Sequence, residues 1–198
     1  LKRGIDLCDI EQYASAIEPL LQAAQMGETD ASTRLGDLYY YGYGVDVDYE
    51  QAYYWFLNAA QKGNAYAQYS VAFMYMKGLF VEQEESQVIK WMKLAAENGN
   101  ISAQKNMGDY YYYGSFGCQK DMRETIKWYE MGARNNDPDC ILRLGLIYEE
   151  GDGVQKNILK AADWYQRGAK AGIPSCLYNL GKLIINKEIS GDEAKGFG

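Results

Sequence analysis

Residues 31–45 read Ala31-Ser32-Thr33-Arg34-Leu35-Gly36-Asp37-Leu38-Tyr39-Tyr40-Tyr41-Gly42-Tyr43-Gly44-Val45, and this stretch decides the fold. Ala31, Leu35, Gly36 and Tyr39 lie on one side of a helix at three- and four-residue spacing. Gly42 and Gly44 break that helix, because glycine supplies the positive φ with which helices end. Asp48, with Gln51 three residues on, is a capping-box pattern, so its side-chain oxygen is expected to take up unpaired backbone N–H groups at the start of a second helix. That helix carries Ala52, Trp55, Phe56, Ala59 and Ala60, an apolar stripe wide enough to face two neighbours, and Gly63 stops it. The unit is therefore helix A, a glycine turn and helix B.

The same unit recurs along the chain. Trp55, Trp91, Trp128 and Trp164 fall 36, 37 and 36 residues apart. Gly63, Gly99 and Gly172 follow their tryptophans by eight residues, Asn136 holding the third place, and Gly42, Gly78, Gly114 and Gly151 precede them by thirteen or fourteen. Asp121 with Glu124 repeats the helix B cap, and Asn157 takes the same position. A period in the thirties predicts stacked units that each contact their neighbours. Gly36, Gly108, Gly145 and Gly181 sit inside helix A, where glycine costs about 1 kcal/mol relative to alanine. The expected compensation is a bulky helix B side chain against the bare backbone, with Ala72 the largest residue accepted there. The pairs Ala59–Ala60, Ala95–Ala96, Gly132–Ala133 and Gly168–Ala169 are expected to allow close approach on helix B.

Ala-x-x-x-Leu-Gly-x-x-Tyr-x-x-Gly-x-Gly-Val, then Ala-x-x-Trp, then Ala-Ala-x-x-Gly, resembles the Sel1-like repeat, carried almost whole by residues 31–45 and 52–63. The resemblance implies an all-α fold, a right-handed superhelical α/α solenoid, and a non-enzymatic scaffold for protein–protein interaction. It divides a single solenoid domain into a degenerate N-terminal cap (1–30), repeats at 31–64, 65–100, 101–137 and 138–173, and a partial fifth repeat at 174–198. Leu79 and Phe80 replace the usual Gly-x-Gly, and Gly114-Ser115-Phe116-Gly117 carries an extra residue, so both turns are expected to have altered shapes. Residues 9–27 align with a preceding helix B in which Pro19 stands at the tryptophan position, predicting a kink or a late helix start. Pro174 to Asn186 reads as a fifth helix A, and Asp192-Glu193-Ala194-Lys195 as the opening of another helix B. A start at Leu1 and a stop within a repeat are expected of an excised or processed segment.

A net charge of −7 repels phosphate backbones and anionic lipid, so neither nucleic acid nor a membrane surface is the expected partner, and a basic one is favoured. No apolar run approaches the roughly 18 residues a membrane helix needs, so membrane insertion is not expected. Cys140 and Cys176 occupy the place held earlier by Ala31, Ala67 and Ala103 and read as small packing residues, while Cys8 and Cys118 could be reactive thiols. Cysteine usage points to a reducing, cytoplasmic compartment, with a periplasmic or secreted location as the alternative if a signal sequence has been removed. The chain has no histidine, which excludes imidazole bases, histidine triads and histidine metal sites. No Cys-x-x-Cys pair, phosphate loop or calcium loop is present, and no cofactor, metal or catalytic residue is expected. Glu149, Glu150 and Asp152 cluster at a turn, where solvated carboxylates are expected in preference to an acid–base pair. Glu82, Glu84 and Glu85 suit the positive end of a helix.

Nineteen tyrosines exceed what the repeat core needs. Tyr39, Tyr75, Tyr111 and Tyr148 hold the consensus position and are expected to be structural. By analogy with the similar tetratricopeptide repeat, the inner face of helix A carries Thr33, Asp37, Tyr40 and Tyr41, then Tyr66, Tyr69, Phe73, Met76 and Lys77. The third repeat adds Lys105, Asp109, Tyr112 and Tyr113, and the fourth Leu142, Leu146, Glu149 and Glu150. Aromatic residues and Met are enriched where proteins meet partners. The expectation is a concave groove for a protein or peptide with basic residues flanking an apolar anchor; the alternative is that tyrosine fills wide gaps between repeats. An immunity-type inhibitor of one enzyme is the second functional reading, and a cell-wall or antibiotic-modifying enzyme a remote third.

Overall fold

A computed structural model of the chain describes residues 2–9, 12–186 and 189, which form eleven α-helices and no strand. They are α1 (Lys2–Asp9), α2 (Tyr13–Gln25), α3 (Thr29–Tyr41), α4 (Tyr49–Gln61), α5 (Ala65–Lys77), α6 (Glu85–Glu97), α7 (Ile101–Tyr113), α8 (Met122–Arg134), α9 (Pro138–Glu150), α10 (Ile158–Lys170) and α11 (Pro174–Ile185). The all-α solenoid class expected from the repeat is the one observed, with helix A at α3, α5, α7, α9 and α11 and helix B at the even-numbered helices from α2 to α10. The chain comprises two compact units, Leu1–Ala103 and Gln104–Gly198. In the first, each helix from α1 to α6 packs on the next, around Ala16, Leu20, Leu35 and Trp55 at its N-terminal end. In the second, α8 to α11 do the same around Tyr129, Ile141, Leu144, Tyr165 and Leu183.

Both ends of these helices are set by local chemistry. At the start of helix B, Asp48 accepts from the Gln51 N–H at 3.0 Å, Asp121 from Arg123 and Glu124, and Asn157 from Lys160. Helix A has caps that the motif reading did not identify: Asn64, Asn100 and Asp137 each accept the N–H three residues on at 2.8 Å. A cap of this kind is worth about 0.5–2 kcal/mol. At the far end of helix A, Gly42, Gly78 and Gly151 all take the left-handed conformation.

The turn of the second repeat keeps the ordinary shape, contrary to expectation. Phe80 takes φ 66°, matching Gly44 at 73° and Gly153 at 65°, so the side chain is forced into a glycine conformation while the turn stays the same. In the first turn the bare Gly44 lies against the backbone at Tyr13 and Ala14. Phe80 instead turns its ring outward, half exposed, with its centroid 5.8 Å from that of Tyr53. The third turn does differ, since its extra residue puts Phe116 at φ 52° between Gly114 and Gly117. Pro19 neither delays nor ends its helix: α2 begins at Tyr13 and runs through it to Gln25.

Three of the four helix A glycines behave as expected; Gly181 differs, with nothing among the described residues within 4 Å of a β-carbon placed there. A β-carbon on Gly36 would stand 2.5 Å from the Phe56 ring, and Gly108 and Gly145 are covered in the same way by Tyr129 and Tyr165. Leu20, one period before Phe56, covers Gly4, which makes α1 a shortened helix A that the sequence reading did not recognise. Cys140 and Cys176 are fully buried against Gly132 and Gly168, as small packing residues should be. The expected helix B opening at Asp192–Lys195 lies outside the described residues.

Candidate functional site

In the first unit, Asp37, Tyr40 and Tyr41 follow one another at helical spacing on α3, and Tyr66, Tyr69, Ser70 and Phe73 do so on α5. The two rows line a groove of about 200 Å³ that also touches the ring of Phe56 on α4. Its rings interlock: Tyr40 meets Tyr41 edge-on at 4.8 Å, and Phe56 contacts Tyr40 at 6.4 Å and Tyr66 at 6.3 Å between centroids. Tyr41 is 52% and Tyr66 43% exposed, so the rings line a surface open to a partner. The one carboxylate among them, Asp37, accepts a hydrogen bond from the Tyr66 hydroxyl at 2.8 Å. Burial pushes the Asp37 carboxyl above its ordinary value, against the opposing effects of the Tyr66 bond and the Arg34 charge. The Tyr66 phenol is raised too, by burial first and then by the Asp37 charge and hydrogen bond. Thr33 lies at an adjoining hollow with Arg34 and Asp37.

The structure thus gathers Tyr40, Tyr41, Tyr66, Tyr69 and Phe73 into one groove, while Thr33, Met76 and Lys77 lie outside its lining. Met76 is half-buried further along α5, and Lys77 is exposed with its ammonium 5.6 Å from the centre of the Phe73 ring.

The second unit uses its corresponding residues differently. Asp109 accepts from the Tyr129 hydroxyl at 2.6 Å and from Lys105 Nζ at 3.0 Å, and Arg143 Nε lies 3.5 Å from it. Arg143 also donates to the Tyr113 hydroxyl at 3.4 Å and stands over the Tyr129 ring, 5.9 Å from its centroid. Lys105, Asp109 and Tyr113 are therefore bonded within the unit. For Lys105, burial works against the charge, but the bond and charge of Asp109 outweigh it and raise its pKa. Tyr112 donates to Asp152, and that bond first, then burial, pushes its phenol up to about 12. Leu142 and Leu146 are half-buried against the core, and Leu146 borders a hollow of about 90 Å³ with Tyr112, Arg143 and Glu150.

Glu149 corrects the expectation of a solvated cluster. Its side chain is only 13% exposed, accepts from Tyr165 at 2.6 Å, and pairs with Lys182 at 2.8 Å. Burial alone would raise its pKa, but these two partners prevail and lower it. Glu150 and Asp152 remain exposed.

Ser70, Phe56 and Arg143 are site residues that the sequence reading missed. Ser70 precedes Ala72 by two residues as Arg143 precedes Gly145, so aligning the repeats at that register would have drawn attention to both. Among the described residues, no group of three or more His, Cys, Asp or Glu side chains is placed to hold a metal ion. The Cys118 thiol is raised by burial despite a bond with Tyr111, which opposes formation of the nucleophilic thiolate. Cys8 is buried. Among the described residues no helix is long and apolar enough to cross a membrane.

Comparison with known proteins agrees with this architecture. The Sel1 repeat model matches residues 29–64, 65–100, 101–137 and 138–173. A Sel1 repeat protein from Oxalobacter formigenes is similar with 29% identity and a TM-score of 0.82, over 99% of this chain and 81% of its own. A protective antigen present in uropathogenic Escherichia coli strains, displaying an SLR fold, has 28% identity and a TM-score of 0.79, over 93% of this chain and 40% of its own. An immunity protein from Pseudomonas aeruginosa, at 21% identity and a TM-score of 0.52 over 82% of this chain and 60% of its own, shares the fold alone. No curated protein matches the sequence.

Proposed function

Because the chain belongs to the Sel1 repeat family, whose members are generally protein-interaction scaffolds, we propose that it is a non-enzymatic adaptor that captures a peptide or protein segment in the aromatic groove of its first unit. The observation that carries this reading is the open row of rings between α3 and α5, formed, apart from Phe56 at its floor, by residues outside the glycine contacts that hold the repeats together. Two capped helices hold these rings in place before any partner arrives, which limits the ordering cost of binding on this side. Aromatic side chains supply contact area with few rotatable bonds. The net charge of −7 favours a segment with Lys or Arg beside an apolar anchor, and binding that weakens as salt rises.

Selection of peptides from a displayed random library, followed by titration of the winners, tests the proposal. Tyr69→Ala with Phe73→Ala should weaken binding by about tenfold or more while leaving the melting curve nearly unchanged. Selected peptides that bind the double variant as tightly as the native chain would refute the groove, and loss of folding would assign both rings to the core.

A further inference from the structure

The second unit twice seats a cation at a helix A carboxylate that also bonds a helix B tyrosine. Arg143 lies beside Asp109 and over the Tyr129 ring, and Lys182 pairs with Glu149, which holds the Tyr165 hydroxyl. In both cases the cation comes from the following helix A, Arg143 from α9 and Lys182 from α11.

The first unit repeats much of the Asp109 arrangement without its cations. Asp37 follows Gly36 as Asp109 follows Gly108, Phe56 covers Gly36 as Tyr129 covers Gly108, and Tyr41 holds the register of Tyr113. At the register of Arg143, however, stands Ser70, and at that of Lys105 stands Thr33. Two cations are replaced by short neutral side chains. The groove bordered by Ser70 is open to about 200 Å³, whereas the hollow beside Arg143 has about 90 Å³. The Tyr66 hydroxyl bonds one oxygen of Asp37, and the charge of Arg34 reaches the carboxylate from an exposed position on the same helix.

We propose that the first-unit groove binds the guanidinium of an arginine side chain from a partner segment, held by Asp37 among the rings of Tyr40, Tyr41 and Tyr66, in the manner that Arg143 is held within the second unit. The inference rests on the peptide-groove reading above and names the side chain that enters it. Arginine fits better than lysine because a planar, weakly hydrated guanidinium stacks on aromatic faces and pairs with a carboxylate at once, whereas an ammonium is a strongly hydrated point charge.

The probe is acetyl-Ala-Arg-Ile-Ala-amide, titrated by amide chemical shifts beside the same peptide with citrulline or lysine in place of arginine. The arginine peptide should bind about tenfold or more tighter than the citrulline peptide, with shifts centred on Asp37 and Ser70. Asp37→Asn should erase that difference. Ser70→Arg should fill the site from within and abolish binding, and Arg143→Ser should open a second set of shifts around Asp109. Equal binding of the citrulline peptide, no binding of the arginine peptide, or undiminished arginine binding in a folded Ser70→Arg variant overturns the inference. If all three peptides bind alike and are lost in Tyr69→Ala/Phe73→Ala, the guanidinium inference falls and the groove reading stands. If arginine binding needs Asp37 but ignores both ring substitutions, the arginine site stands and the wider peptide groove falls.

Discussion

Gly132 on α8 lies directly beneath Cys140 on α9: a β-carbon at position 132 would stand 2.5 Å from the cysteine Sγ. Gly168 and Cys176 repeat the relationship in the next layer. Earlier in the chain the same eight-residue offset joins Ala59 to Ala67 and Ala95 to Ala103, all four fully buried. Each of these layers therefore carries one such pair, alanine on alanine in the earlier two and, in the later two, a glycine on helix B beneath the larger cysteine on helix A. Close packing requires this kind of volume matching.

Gly132→Ala should destabilise the protein, because overpacking costs about 1–3 kcal/mol and exceeds the roughly 1 kcal/mol gained in helix propensity. Adding Cys140→Ala recreates the pair found in the earlier layers and should recover the loss. Denaturant unfolding of both single variants and the double gives the coupling. Additive effects would show that the two positions do not share one space.

Phe80 holds the left-handed conformation that glycine supplies in two other turns, and a non-glycine side chain there carries a penalty of about 1–2 kcal/mol. Phe80→Gly and Phe80→Ala both lose the ring contact with Tyr53, yet only glycine relieves the backbone. The glycine variant should therefore be more stable than the alanine variant by about 1 kcal/mol in thermal or urea unfolding. Equal stabilities would mean that the turn relaxes around alanine.

Asp37 is held in the fold at a raised pKa, chiefly by burial, so its ionisation opposes folding. That penalty is absent below the unfolded value of 3.8, grows as pH rises, and is complete above the folded value. Asp37→Asn should be more stable than the native chain at neutral pH, by a margin that shrinks as pH falls through the acid range. A pH-independent margin, or a less stable variant at pH 7, would contradict this. The residue proposed to meet the partner would thus be retained against stability, as binding groups often are.

Glu149 has the opposite sign. Lys182 and Tyr165 overcome its burial and hold it below the ordinary 4.5, so its contribution is fully present above the unfolded value and fades as pH falls through the folded one. Glu149→Gln should cost about 1–2 kcal/mol at pH 7 and flatten the acid limb of the stability profile. An unchanged acid limb would show that the ion pair contributes no linkage.

Much of the candidate site was legible because it follows helical spacing. Tyr40 and Tyr41 on one helix, and Tyr66, Tyr69 and Phe73 on the next, could be placed on one face from the 3.6-residue period alone. Lys105, Asp109 and Glu149 could be placed on equivalent faces, but not their state. The two carboxylates are occupied by Tyr129, Arg143, Tyr165 and Lys182, partners at 16 to 34 positions' separation in the chain whose reach depends on how helices stack. The Phe80 turn was misread because a side chain signals a local preference, while the flanking helices impose the conformation they need.

By itself, the sequence determined the period, the helix pairs of the four repeats, the caps of helix B and the glycines of the first, third and fourth repeats that admit a neighbouring ring. Each is a matter of backbone freedom or hydrogen bonding within a few residues, repeated until the register is unambiguous. Only the tertiary structure decided which of two carboxylates in identical registers is neutralised from within. Asp37 and Asp109 both follow a helix A glycine, but the cation that distinguishes them arrives from the next helix A, and the distance it must cross is set by packing.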